Sequence, residues 1–145
     1  MGASVEVRSL QVRAGRAELV AAAPGTVPAF SSETSLPGPL PPAMRALVDE
    51  AARAGISPYR RLVALAEALR GPRYQAVDVA TLPAFVPGRS LLDLDAVVRD
   101  GVGLQEQFAA AFALGARDWN VPTRLVVGWL SPASKGRDVD VRAAA

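Results

Sequence analysis

The segment from Leu104 to Trp119 places the tightest limit on how this chain folds. Leu104, Phe108, Ala111, Phe112, Gly115 and Trp119 recur at helical spacing and line one face, while Ala109, Ala110, Ala113 and Ala116 keep the other faces small. A helix that is apolar on one side and nearly bare elsewhere lets neighbours approach from several directions. The pattern therefore predicts a buried central helix over 104–119, around which the rest of the chain packs. Asn120 tolerates the left-handed backbone that ends a helix, and Val121-Pro122 prevents its continuation.

The same spacing marks two earlier helices. Met44, Leu47, Val48, Ala51 and Ala52 share one face of a helix over 43–54 that Gly55 ends. Ser57-Pro58 then supplies an N-cap and a first-turn proline for a helix over 57–70, with Leu62, Leu65, Ala66 and Leu69 as its buried face. A shorter helix is expected over Ser90 to Arg99, closed by Asp100-Gly101.

Period-two alternation points to strands. Val5, Val7, Leu10 and Val12, then Ala17, Leu19 and Ala21, read as the two arms of an N-terminal hairpin turning at Ala14-Gly15. Arg124 to Leu130, with Leu125-Val126-Val127 and Trp129, reads as a buried strand, and Val139 and Val141 begin another. Pro24 to Pro42 is too dense in Pro, Gly, Ser and Thr for a regular element and is expected to be an extended connector. Residues 71–90 are expected to be a loop carrying Tyr74 and Phe85.

Composition narrows the chemistry. The chain has 145 residues, the usual size of one domain, and it is 50% hydrophobic and 21% charged, which is a globular balance. It has no Cys and no His, so no thiolate, disulfide or imidazole base is available. No cofactor and no metal is implied: Asp93, Asp95 and Asp100 match no calcium-loop spacing and read as a solvated helix face. Net charge is only +2, with a single Lys, Lys135, among 16 basic residues, and no nucleic-acid partner is expected. The abundance of Ala, Arg, Val, Gly and Pro fits a high-GC genome. No apolar run reaches the ~20 residues that span a bilayer. The start MGASVEVRS lacks the features of a signal peptide, so the expectation is a soluble chain of unassigned compartment.

Gly101-Val102-Gly103 lacks the lysine and the strand-turn setting of a phosphate loop and reads as a helix entry turn. Arg117 and Arg124 could meet an anion, yet such positions more often serve ion pairs or carbonyls. Trp119 and Trp129 read more readily as packing than as a ligand cleft.

One combination of motifs has a family likeness. Gly103-Leu104-Gln105-Glu106-Gln107-Phe108-Ala109, then Ala116-Arg117, Val121-Pro122-Thr123-Arg124 and Val126-Val127-Gly128-Trp129, resembles the bacterial transglutaminase-like core in order and spacing. That family carries Gly-x-Cys-Glu-Gln-Phe-Ala on a helix, an Ala-Arg pair, a Gly-Ile-Pro-Ala-Arg turn and a Val-Val-Gly strand. The likeness covers roughly residues 27–142. It implies an α+β, papain-like fold with the helices packed on an antiparallel sheet, incomplete at its C-terminus. Residues 1–26 would be the hairpin and linker, and 27–145 the core without its His- and Asp-bearing strands.

The family's enzymes use a thiolate at a helix N-terminus and a His oriented by an Asp. Here Gln105 occupies the nucleophile position, and an amide cannot carry an acyl group as a thiol does. The likeness therefore implies a catalytically inactive domain that binds protein or peptide, or acts as a scaffold. Its candidate groove involves Gln105, Glu106, Arg124 and Trp129. Alternatively the chain is a fragment of a larger membrane-associated protein, and activity, if any, needs residues outside it. An open strand edge near Val141 would also favour homo-oligomers. At Gln105 the plainer reading is a polar residue satisfying first-turn amides.

Overall fold

The computed structural model describes residues 13–24, 31–77, 88 and 90–126. Within them lie six helices, α1 (Arg16–Ala21), α2 (Ser31–Thr34), α3 (Pro42–Ala54), α4 (Pro58–Arg70), α5 (Leu91–Asp100) and α6 (Gln105–Asp118). Two short strands, β1 (Gln75–Ala76) and β2 (Val102–Gly103), complete the described elements.

The helix boundaries follow from local chemistry. Pro42 and Pro58 open α3 and α4 at positions where a missing N–H costs nothing. Ser57 accepts the Arg60 N–H at the start of α4. Ser90 and Asp93 cap α5 reciprocally: the Asp93 N–H donates to Ser90 Oγ at 3.2 Å, and the Ser90 N–H to Asp93 Oδ2 at 3.0 Å. Gly101 ends α5 in the left-handed region, φ 76°, with its N–H on the Val97 carbonyl. Asn120 follows α6 at φ 56°, as its side chain allows.

α3 is the hub, packing against α4, α5 and α6. Met44, Leu47, Val48 and Ala51 form its buried stripe and meet Leu65, Leu69, Leu94, Val98 and Ala111 from its neighbours. The helix expected at the centre is α6, but α3 takes that place: Phe108, Phe112 and Trp119 of the expected α6 face are only partly buried, and Gln107 and Ala116 are buried instead. Gly115 lets α6 approach closely: a Cβ there would lie 2.8 Å from Leu65 Cδ2 and 3.0 Å from Val48 Cγ2. Arg45 joins the start of α3 to the end of α6 through a paired contact with Asp118 at 2.7 and 2.8 Å.

The described sheet corrects the expected one. β1 and β2 pair in parallel, Gln75 with Val102 and Ala76 with Gly103, rather than antiparallel. A parallel pair needs a long crossover connection, and the chain between them contains α5. Val102–Gly103 is thus a strand and not merely a helix entry turn. β1 likewise gives residues 71–90 a paired element, with the Gln75 N–H on the Gly101 carbonyl at 2.7 Å.

Three further expectations change. Residues 17–21, read as the second hairpin arm, belong to α1; Arg, Ala, Glu and Leu favour a helix, and so short an alternation does not outweigh them. The other arm lies outside the described residues. The connector holds one helical turn, α2. Arg124 to Val126 are not strand, and Leu125 and Val126 are exposed rather than buried. Residues 127–130 and the expected strand at Val139 and Val141 lie outside the described residues. Among the described residues no helix is long and apolar enough to cross a membrane.

Candidate functional site

α6 begins where β2 ends, and that junction is tightly held. Gly103 and Leu104 are buried, and a Cβ on Gly103 would lie 2.5 Å from Val97 Cγ1, so only glycine lets β2 press against α5. Gln105 is the first residue of α6 and is exposed. Glu106 follows, half-buried, with its negative charge in the first turn where the helix dipole favours it.

The amide that organises this junction is Gln107. It is 1% exposed. Its Oε1 accepts the Leu104 N–H at 2.9 Å and its Nε2 donates to the Gly88 carbonyl at 2.8 Å. Gln107 therefore satisfies the N-cap amide of α6 and also binds the chain at Gly88 to the start of that helix. The signal for it was half of a capping box, Gln three residues after the N-cap. Leu104 in place of Ser or Thr hid the motif.

One turn above Gln105, Phe108 packs edge-on against Tyr74, ring centroids 5.7 Å apart at 71°. The Arg73 guanidinium lies 5.5 Å from the centre of the Tyr74 ring. Burial pushes the Tyr74 phenol above its usual range, while the Arg73 charge works in the opposite direction.

Arg124 is not brought to this junction. The Thr123 hydroxyl donates to the Ala113 carbonyl at 2.9 Å. Thr123 is thus fixed about 12 Å along the helix axis from Gln105, at 1.5 Å rise per residue. Arg124 itself is 76% exposed and stands 3.9 Å from Glu33, a weak surface pair. Trp129 lies outside the described residues.

Arg117 serves carbonyls: Nη2 donates to Thr123 O at 2.7 Å and Nη1 to Ser35 O at 3.2 Å. Together with the Thr123 N–H on the Glu33 carbonyl, it ties the chain after α6 to the α2 region. Trp119 packs against the core.

The three aspartates separate. Asp93 caps α5, and the Ser90 hydroxyl, then the Ser90 N–H, hold its carboxyl below the usual carboxylate range. Asp100 pairs with Arg99 at the surface. Asp95 corrects the solvated-face reading: it is 9% exposed, and its Oδ1 accepts the Ala43 and Met44 N–H groups at 2.8 and 3.0 Å. It satisfies the start of α3 from another helix. The available signal was Pro41-Pro42, a helix start with no capping side chain of its own, whose orphan amides need an acceptor from elsewhere.

Among the described residues, no group of three His, Cys, Asp or Glu side chains converges as a metal site. An apolar groove runs between α5 and α6, lined by Leu91, Leu94, Ala110, Ala113, Leu114 and Leu125. The α6 start offers a different surface: an exposed carboxamide and a carboxylate at a helix N-terminus, able to exchange hydrogen bonds with amides but carrying no thiol or imidazole. No protein-family model, curated protein or solved structure matches the chain.

Proposed function

We propose that the chain is a transglutaminase-like domain in which Gln105 occupies the position of the nucleophile, silent in acyl transfer and acting as a protein- or peptide-binding or scaffold module. The observation that carries the reading is Gln105 itself, exposed as the first residue of α6. In a thiol enzyme that position is where the helix dipole stabilises a thiolate. An uncharged carboxamide there cannot form an acyl-enzyme, but it can donate to and accept from an extended backbone. The motif order around it, from Gly103 to Arg124, supports the reading further. The parallel β1–β2 pair is no part of that support.

The test uses the purified chain, a short labelled glutaminyl peptide and a primary amine. No amide product and no ammonia above background are expected, and turnover would refute silence. The labelled peptide alone is expected to bind, measured by fluorescence anisotropy, and Gln105→Arg to weaken that binding at least about tenfold, or about 1.4 kcal/mol. Binding indifferent to that substitution would reject the location, and absence of binding would reject the peptide-binding role for this sequence class.

A further inference from the structure

We draw no further inference here: the strongest candidate, the apolar groove between α5 and α6 lined by Leu91, Leu94, Ala110, Leu114 and Leu125, carries nothing because nothing in the structure shows what covers it.

Discussion

The starts of α3 and α6 solve the same problem in opposite ways. Each helix opens without a Ser, Thr, Asp or Asn N-cap, after Pro41 in one case and Leu104 in the other. At α3 the buried Asp95 of α5 accepts two first-turn amides, so this N-terminus is closed and serves the fold. At α6 the buried Gln107 accepts only the Leu104 N–H, and Gln105 remains exposed on the first turn. The difference teaches that a helix dipole is consumed where another element supplies its acceptor, and remains usable where the acceptor reaches back from the helix itself.

Substitutions at the two ends break or sharpen that contrast. The largest effect is expected from Asp95→Ala, which strands two amides at the centre of the packing and should lower unfolding free energy by about 2–4 kcal/mol in a denaturant titration. Gln107→Leu should follow at about 1–3 kcal/mol, because the Leu104 N–H and the Gly88 carbonyl both lose their partner. Its signature is local: faster hydrogen exchange at the Leu104 amide, with the Ala43 and Met44 amides unchanged. Asp95→Asn keeps an acceptor but removes the charge, and about 1 kcal/mol is expected. Gln105→Ala should change stability by no more than about 0.5 kcal/mol, as for an ordinary exposed side chain. A loss as large as that of Gln107→Leu would mean that Gln105 is part of the frame.

What was readable in the sequence divides along the same line. α3, α4, α5 and α6 announce themselves because apolar spacing, Ser57-Pro58, Ser90, Gly101 and Asn120 act within a turn or two of where they stand. Position 105 at the start of α6 was readable for the same reason. Asp95 was not, since its partners are 51 and 52 residues away and a carboxylate on a helix looks solvated until its neighbour is known. The β1–β2 pair was equally hidden: two-residue strands carry no period, and residues 71–90 and 101–103 read as a loop and a helix entry turn, while the antiparallel sheet came from family likeness alone. Grouping Arg124 with Gln105 had the same origin, and the Thr123 bond to Ala113 separates them.

The most direct test of an open, nucleophile-like position at Gln105 is the thiol of Gln105→Cys, titrated by the pH dependence of its alkylation rate. Ile56→Cys, at a 95% exposed site before α4, serves as the reference. The account predicts a Gln105→Cys thiol that ionises about one unit below the ordinary value of about 8.5, with Ile56→Cys close to that value. A thiol at position 105 that ionises at or above the reference would contradict it.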